Sequence, residues 1–466
     1  MLLNKYSNVA LRFILFFIGL LVSINVYFSS ISLPRTLFLI PLVYSVLILS
    51  FSGFTKYMLQ NIGLLALNVS MFLRYLISPL LISLEGLTYV NAIVPFEENY
   101  NLAINLMLYE MLIVFLVFQL FYKNFYSIKQ DLKVNIKADR NYFGWVFIFF
   151  CLFLVILYPE ILSRYTFVLG ANELKSKEID SNIISILPLI VQLGALVLTI
   201  SLINVFFKKY NNKKSFIYVL ISISIVFFIS SFIVGTSRFS VVLPLVTGLY
   251  IIYLIFNKHK KSISILSIIS VIFVVLLTSI LKASTINSQN STIQGFFSDL
   301  NNNLQLYFSG LNNVAIAVQT SDIYTNFNFE SIMSDITRSV VLINSFFHNE
   351  ESALTDFNIT FYNGGFARDQ ILPMIGQGYL YFGFILAPIF TVIILLLLMY
   401  FDSKTITMNN LFSRFIYAYA ALKIGLFMMA NFTILLSFLT NNFLVLLLIA
   451  MLNNRLKSNK EVLHEH

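Results

Sequence analysis

Two arginines stand apart because each lies beside a glycine-containing turn next to a long apolar run. Arg238 follows Gly235 in a short turn between two such runs, and Arg368 follows Gly364 and Gly365 just before another. A guanidinium presents a fork of donors that fits phosphate or carboxylate, and the free N–H groups of a following helix strengthen such a site. These residues predict anion sites. The alternatives are an interfacial arginine that reaches lipid phosphate and a salt bridge within a loop.

Other charged residues lie inside or at the ends of apolar runs. Lys282 ends one run, and Arg338 lies in an amphipathic pattern whose solvated face is an alternative explanation for it. Arg74 and Glu110 lie well inside two runs, as does Lys423. A charge at the centre of a bilayer costs about 2.5–3.5 kcal/mol, so such residues face the interior of a bundle and have partners. We expect Arg74 to pair with Glu110, either as a structural clamp or in the wall of a substrate cavity.

A glycine-rich segment, Gly376-Gln377-Gly378-Tyr379, precedes the next apolar run. Glycines there let the backbone re-enter a bundle and approach a ligand closely. The four histidines and the single cysteine, Cys151, form no cluster with metal-ligand spacing, so the sequence predicts no metal site. It also has no phosphate-binding loop, dinucleotide fingerprint or nucleophile elbow, and no cofactor is expected.

The elements that position these residues are membrane helices. The chain is 58% hydrophobic and 11% charged, with a mean hydropathy of +0.85, so most of it requires lipid as its solvent. Spanning helices need about 20 apolar residues. Twelve runs of this kind fall near 11–31, 36–53, 58–83, 102–122, 142–159, 184–207, 216–235, 240–256, 263–282, 376–401, 411–431 and 434–453. The predicted fold is an all-α polytopic bundle of about twelve transmembrane helices.

The distribution of Lys and Arg predicts the orientation of the chain. With the N-terminus inside, most of the 30 basic residues fall in the loops that then face the cytoplasm, and most of the 21 acidic residues do not. Both chain ends are therefore expected in the cytoplasm, in the plasma (inner) membrane. The net charge of +9 reflects this topology and does not indicate nucleic-acid binding.

One long outer loop separates the spans into two groups. We expect spans one to nine in 1–282, an extracytoplasmic loop in 283–375, spans ten to twelve in 376–454 and a cytoplasmic tail in 455–466. Helical spacing within the loop predicts two amphipathic helices on the outer membrane surface or over the bundle. The first contains Phe297, Leu300, Leu304, Tyr307, Leu311, Val314 and Val318, and the second contains Ile332, Ile336, Val340, Ile343 and Phe347.

Two motifs in this arrangement resemble those of Wzy-type polymerases, which join oligosaccharide repeat units into O-antigen or capsule. The first is Gly-x-x-Arg at Gly235 to Arg238, followed by Lys282 and the long loop, and the second is Gly-x-Gly-Tyr-x-x-Phe-Gly at 376–383. The resemblance also covers the number of helices and the position of both ends. Some members carry an Arg followed by Gly after ten or fifteen intervening residues, and here Gly378 and Gly383 each lie one residue short of that spacing from Arg368.

The resemblance implies transfer of a growing polysaccharide from undecaprenyl diphosphate to a fresh lipid-linked repeat unit on the outer leaflet. Outward arginines then stabilise the diphosphate leaving group, and a carboxylate or histidine serves as general base. Catalysis is assigned to Arg238, Arg368 and Asp369, with Glu350, Glu351 and His348 as other candidate bases. Substrate binding is assigned to Arg338, Lys282, Arg74, Gly376, Gly378 and Tyr379.

The expected partners are the undecaprenyl-diphosphate-linked oligosaccharide, the growing polysaccharide and membrane lipid, together with a chain-length regulator and a flippase. Three other classes stay open at this point. They are a lipid-linked oligosaccharide flippase, an O-antigen ligase and an ion-coupled transporter. The sequence shows no similar halves and no matched pair of interrupted apolar runs, which disfavours the flippase and the transporter.

Overall fold

The computed structural model describes residues 5–87, 92–126, 136, 141–167, 182–234, 239–270, 293–324, 329–340, 343, 352–365 and 369–464. This part of the chain is almost entirely helical, which confirms the predicted all-α class. It divides into two compact units. The first comprises Met1–Asp131, Asn290–Ser403 and Ala421–Asn441, and the second comprises Leu132–Gln289, Lys404–Ala420 and Asn442–His466.

The first unit is built from helices at both ends of the sequence. They are α1 (Lys5–Tyr27), α2 (Leu39–Ser50), α3 (Ser52–Lys56), α4 (Ile62–Phe72), α5 (Ser78–Glu85) and α6 (Glu97–Tyr126). A π-helical turn, Leu73–Ile77, joins α4 to α5 without a break. The later helices of this unit are α12 (Ile293–Tyr307), α13 (Leu311–Ile323), α14 (Phe329–Ser339), α15 (Ala353–Phe361), α16 (Met374–Leu386), α17 (Ile389–Thr407) and α19 (Phe432–Ser437).

The second unit contains α7 (Tyr142–Leu157), α8 (Asn182–Lys213), α9 (Ile217–Ser230), α10 (Phe239–Ile255), α11 (260–270) and α20 (Leu444–His464). Helix α18 (Leu411–Gly425) begins in this unit and ends in the first. The two strands of the described chain are three residues long, β1 (Tyr165–Phe167) and β2 (Phe232–Val234), and they pair antiparallel. This short pairing was not predicted, and it joins the segments after α7 and after α9.

The helices include several that are long and apolar enough to cross a membrane. Among the described residues there are six, or seven if a pair bent by 104° near Phe256 counts as one span. The six are Tyr6–Tyr27, Ile62–Glu85, Glu97–Tyr126, Ile186–Lys213, Ile389–Thr407 and Phe432–Arg455. Of four shorter apolar helices of 10–17 residues, three coincide with other predicted spans, and the fourth, Met374–Leu386, shares the predicted span 376–401 with Ile389–Thr407. A helical membrane protein is therefore supported, while the number twelve stays a prediction.

In the first unit, a buried carboxylate holds three helix ends together. Asp402, near the end of α17, accepts hydrogen bonds from the N–H groups of Gly63 (2.9 Å) and Leu64 (2.8 Å) at the start of α4. Tyr126, at the end of α6, donates to the same carboxylate over 3.2 Å. The negative charge lies at a helix N-terminus, where the free N–H groups stabilise it. These are the helix ends that the sequence predicts to face the cytoplasm.

Helices of the predicted outer loop pack at the other ends of α5 and α6. The side-chain amide of Asn301 donates to the carbonyl of Gly86, and that of Gln305 donates to Ser78 Oγ. Tyr100, near the start of α6, donates to Asn312 Oδ1 over 2.6 Å. The described part of the loop is therefore an ordered layer of helices anchored to the bundle of this unit.

The predicted single helix over 376–401 is wrong, because the structure has two helices there. Gly383 has φ +69°, a left-handed conformation that favours glycine and cannot continue an α-helix, and Pro388 follows before α17 begins. The chain folds back so sharply that a Cβ on Gly378 would lie 1.9 Å from the carbonyl oxygen of Ala387. The apolar composition is continuous across this break, so hydropathy alone did not reveal it.

The Gly378→Ala variant is expected to be destabilised because its methyl group cannot fit beside the Ala387 backbone. Overpacking of this kind costs about 1–3 kcal/mol, and the variant should unfold at a lower temperature in detergent. Gly53→Ala is the matched control, since a Cβ there meets aromatic carbons at an ordinary 3.6 Å. Equal unfolding midpoints for the two variants would show that the 378–387 reversal is not formed.

The first predicted amphipathic helix is also corrected, because it is two helices separated near Ser309 and Gly310. Ser309 has φ +49°, and Gly310 is the N-cap of α13. Residues Leu311 to Thr320 of α13 are buried on every side, including its polar ones, so α13 does not lie on a membrane surface. An amphipathic surface helix would leave its polar side chains in solvent, whereas those from Leu311 to Thr320 are buried. The second amphipathic pattern forms α14, which ends at Ser339. Val340 and Ile343 of that pattern are described but lie beyond the end of α14, and Phe347 lies outside the described residues.

Candidate functional site

A cluster of charged and hydroxyl side chains joins three helices of the first unit. Asp335 and Arg338 lie three residues apart on α14, a spacing that places them on one helix face. Arg338 Nη1 donates to Ser352 Oγ (3.1 Å) and Thr355 Oγ1 (3.2 Å), which belong to the N-terminal turn of α15. Tyr381 of α16 donates its hydroxyl hydrogen to Asp335 Oδ2. We call these five residues the Asp335–Arg338 cluster.

The acidic group of this cluster is buried. Asp335 is 2% exposed. Burial raises the pKa of its carboxyl above the ordinary value, against the opposing effects of the Tyr381 hydrogen bond and the positive charge of Arg338. A carboxylate that binds a proton more readily than usual is better suited to take a proton from a hydroxyl group near neutral pH. The cluster therefore combines an anion-binding group with a proton acceptor.

Helix α16 positions Tyr381 through contacts made one turn earlier. Gln377 is buried, and its side-chain oxygen accepts a hydrogen bond from the N–H of Phe432 at the start of α19 over 2.9 Å. The ring of Phe432 stacks on Phe390 with 4.4 Å between centroids, and Phe390 also contacts the ring of Tyr381. Tyr379, which was predicted to bind substrate, is half-buried, and the hydrogen bond to the cluster comes from Tyr381.

The two glycines of the same motif serve close packing in this structure. A Cβ on Gly376 would lie 2.7 Å from the methyl group of Ala317 in α13, and Gly378 lies against the backbone of Ala387. Protein atoms thus occupy the space that the missing side chains leave. The predicted close approach was to a ligand, and the close approach seen in the structure is to other parts of the protein. The role of these glycines in substrate binding stays a prediction.

Asp369 is exposed and lies apart from Arg338. It accepts a hydrogen bond of 2.5 Å from the hydroxyl of Tyr362, whose pKa is raised to about 12 by burial first and by Asp369 second. Tyr362 follows the C-terminal end of α15, whereas Ser352 precedes its N-terminal end. At 1.5 Å per residue these ends are about 15 Å apart. The structure therefore does not bring Asp369 into the Asp335–Arg338 cluster.

The predicted pairing of Arg74 with Glu110 is confirmed. Arg74 Nη1 lies 3.1 Å from Glu110 Oε2, and both side chains are buried. Tyr75 and Thr391 each donate a hydroxyl hydrogen to the same carboxylate over 3.1 Å, and Arg74 Nη1 also lies 3.0 Å from the sulfur of Met428. Such a pair, satisfied by further hydrogen bonds, holds α6 and α17 against the helix that contains Arg74.

Two nitrogens of this buried guanidinium, Arg74 Nε and Nη2, have no hydrogen-bond partner in the described structure. Arg74 also lies in the π-helical turn Leu73–Ile77, and such turns occur frequently at functional sites. These observations leave the predicted role of Arg74 in substrate binding open. They show that the guanidinium retains hydrogen-bonding capacity beyond its ion pair.

Several predicted site residues cannot be placed relative to the cluster. Arg238, Lys282 and Arg368 lie outside the described residues, as do the candidate bases His348, Glu350 and Glu351. Their roles stay predictions.

Sequence reasoning did not single out Asp335, Tyr381 or Gln377. Two spacing signals were present, since Asp335 precedes Arg338 by three residues and Gln377 precedes Tyr381 by four.

Comparisons with known proteins do not assign this chain to a family. No family model, no curated protein and no solved structure matches the chain.

Proposed function

We propose that this protein joins lipid-diphosphate-linked oligosaccharide repeat units into a polysaccharide on the outer leaflet of the plasma membrane. In this proposal the chain crosses the membrane about twelve times, with both ends in the cytoplasm. It is a glycosyltransferase that works without a metal or cofactor. Its product is O-antigen or capsular polysaccharide, and its substrates are carried on undecaprenyl diphosphate.

The observation that supports the proposal most is the Asp335–Arg338 cluster. Four of its five residues lie in the segment predicted to be extracytoplasmic, and it contains a guanidinium beside a buried carboxyl of raised pKa. The broken helix α16 supplies Tyr381 to this cluster and begins the motif that resembles the polymerases. A reaction on a lipid-linked diphosphate needs a cation to stabilise the leaving group, an acid to accept a proton and an apolar surface for the lipid. The arginine, the carboxyl group and helix α16 supply these three.

The chemistry follows from the bonds that change. A sugar hydroxyl of the fresh repeat unit attacks the anomeric carbon of the growing chain, and the C–O bond to the diphosphate breaks. The hydroxyl proton passes to the carboxylate of Asp335, while Asp369, which lies apart from the cluster, stays a predicted alternative base. Negative charge develops on the departing undecaprenyl diphosphate, and Arg338, together with the predicted Arg238 and Arg368, stabilises it. After the transfer, the lengthened polysaccharide is linked to the undecaprenyl diphosphate that carried the fresh repeat unit.

A second candidate function, flipping of lipid-linked oligosaccharides, is favoured by two specific observations. The helix break at Gly383 and the buried Arg74–Glu110 pair are features that transport proteins place within the membrane. In the polymerase proposal the helix break serves packing, and Arg74 either only clamps helices together or also binds substrate. A chain-length regulator and a flippase are expected partners of a polymerase, so the two functions also occur side by side in one pathway.

Surface glycans of cells that lack this protein separate the candidate functions. Loss of a polymerase leaves single repeat units on the surface, whereas loss of a flippase leaves no repeat units there. Loss of a ligase leaves full-length polymer on the undecaprenyl carrier. We expect single repeat units, with the full ladder restored by the intact chain. Either of the other two patterns contradicts the proposal.

Asp335→Asn is expected to abolish polymer while leaving the protein folded. The raised pKa means that ionisation of Asp335 near neutral pH costs folding free energy, so an uncharged amide should unfold at the same temperature or a higher one. The stability contribution of the protonated acid is present at low pH and is lost as pH rises through its pKa. The measurements are the surface glycan gel and thermal unfolding in detergent. Normal polymer in this variant would remove Asp335 from the mechanism.

A further inference from the structure

The second unit contains a basic cavity that the proposed function does not use. It has a volume of about 470 Å³ and lies where α8 and α10 end. The polar residues in its lining are Tyr210, Asn211, Lys214, Asn257, Lys258, Lys260 and Arg414. We call it the basic pocket. The loops that contribute these residues are among those predicted to be cytoplasmic.

Four cations and no carboxylate are present among the described residues that line the basic pocket. Lys214 Nζ donates to Asn211 Oδ1 over 3.2 Å and lies 5.3 Å from the centre of the Tyr210 ring. Arg414 is buried, and its guanidinium is fixed by hydrogen bonds to the carbonyls of Ile406 and Met408. Lys214 and Lys258 are exposed, so water and salt screen part of the repulsion among these charges, and an anion bound between them would offset the rest.

A buried hydroxyl in the pocket wall lacks a partner. Tyr210 is 4% exposed, and its ring packs against Phe256 and His259. Its hydroxyl group has no hydrogen-bond partner. Buried polar groups are nearly always satisfied, and this one is not. The hydroxyl oxygen itself is buried, so a ligand in the cavity reaches it when the Tyr210 ring shifts toward the pocket. Beside lysines, the complementary group is an anionic oxygen.

The backbone of Lys214, in the lining of the basic pocket, has an unusual left-handed conformation. It follows the last residue of α8 with φ +50°, in the position where glycine is usual. Its N–H closes the helix on the carbonyl of Tyr210. The simplest alternative is that the lysines only complement the carbonyl ends of α8 and α10. That alternative does not account for the volume of the cavity or for the unpartnered hydroxyl.

We infer that the basic pocket binds a phosphate group, with the lysines and Arg414 supplying positive charge and the Tyr210 hydroxyl donating a hydrogen bond. The phosphate belongs to a phospholipid headgroup of the cytoplasmic leaflet or to a soluble phosphate. A cavity of this size holds either one. Basic pockets at the cytoplasmic ends of membrane helices bind anionic headgroups in this manner.

The test measures binding to the full-length protein in neutral detergent at about 0.15 M salt, where distant charges are screened. One arm adds phosphatidylglycerol, a second adds inorganic phosphate and a third adds phosphatidylcholine as the neutral lipid. Binding is followed as a rise in the unfolding temperature, because a ligand that binds only the folded state stabilises it by an amount that grows with the ratio of ligand concentration to Kd. No polymer assay is involved, so the outcome is independent of the proposed function.

Two variants and one matched control locate the site. Lys214→Gln, Lys258→Gln and Lys260→Gln together remove three charges from the lining, and Tyr210→Phe removes only the hydroxyl group. The control is Lys208→Gln, Lys209→Gln and Lys213→Gln, which removes the same charge from the end of α8 outside the pocket lining. Charge-assisted hydrogen bonds of this kind support an expected loss of about tenfold or more in affinity for the first variant. Tyr210→Phe should lose about fivefold, and the control less than twofold.

The pattern of responses decides the inference. A response to phosphatidylglycerol alone that the pocket variants weaken identifies a lipid headgroup, and a response to inorganic phosphate identifies a soluble ligand. Both results support the inference. No response to either anion overturns it, and so does a response that the pocket variants and the control weaken equally.

Discussion

Cells that carry Arg338→Ala are expected to display single repeat units in place of polymer, with the protein still inserted in the membrane. The variant removes the guanidinium that we assign to the diphosphate leaving group. Loss of one preorganised donor to a developing charge lowers a rate by about 100-fold or more. Arg338→Lys should also be impaired, because an ammonium group lacks the planar fork of donors that binds a phosphate through two hydrogen bonds. The measurement is the length distribution of surface glycans.

Arg35→Ala is the matched control for this experiment. Arg35 is exposed, and its neighbour Thr36 bonds to Asn101 near the start of α6, at the end of the unit where the loop helices pack. It lies outside the Asp335–Arg338 cluster, so its variant should give the normal ladder. Because Arg338 also ties α14 to α15, each variant is checked for a folded peak by size exclusion. A normal ladder from folded Arg338→Ala would exclude this arginine from the mechanism.

Glu110→Ala is expected to destabilise the protein more than any other single change considered. It leaves the Arg74 guanidinium buried with no carboxylate partner, and breaking a buried ion pair in this way costs about 3–5 kcal/mol. The double variant Arg74→Met with Glu110→Met removes both charges and should recover most of the loss, since the apolar pair needs no partner. Thermal unfolding in detergent measures the single and double variants.

Glu98→Ala provides the control on the same helix. Glu98 is exposed in the first turn of α6, where a carboxylate contributes about 1 kcal/mol or less. Equal midpoints for Glu110→Ala and Glu98→Ala would contradict the buried pair. The double variant also separates two roles for Arg74. If Arg74 only clamps helices, the folded double variant makes polymer, and if Nε and Nη2 also hold substrate, it does not.

The Arg74–Glu110 pair shows what a sequence predicts well in a membrane protein. An unpaired charge in lipid costs free energy, so two opposite charges at similar depth in neighbouring spans are expected to form an ion pair. The helical class follows from the same penalty, because backbone polar groups in lipid must be paired within the segment. A structural feature can be predicted from the sequence alone when physical chemistry leaves only one arrangement that satisfies the residues.

The Asp335–Arg338 cluster shows what the sequence does not reveal. Tyr381 and Asp335 are 46 residues apart, and only the packing of α14, α15 and α16 brings them together. The reversal at Gly383 was missed for a related reason. Hydropathy does not distinguish a long apolar helix from two shorter ones, and one glycine is tolerated within a helix at small cost. Of the two positions predicted for the first amphipathic pattern, the membrane surface is excluded for α13 because its polar residues are buried, and the sequence could not identify the protein contacts that bury them.

The central claim is tested most directly by reconstituting the purified full-length protein with its substrate. The substrate is the undecaprenyl-diphosphate-linked repeat unit extracted from cells that lack the protein, incorporated into liposomes. We predict a ladder of products that differ by one repeat unit, with one undecaprenyl diphosphate released for each bond formed. The same preparation of Arg338→Ala should leave single repeat units. Lipid-linked repeat units that stay single in the presence of the folded wild-type protein would contradict the account.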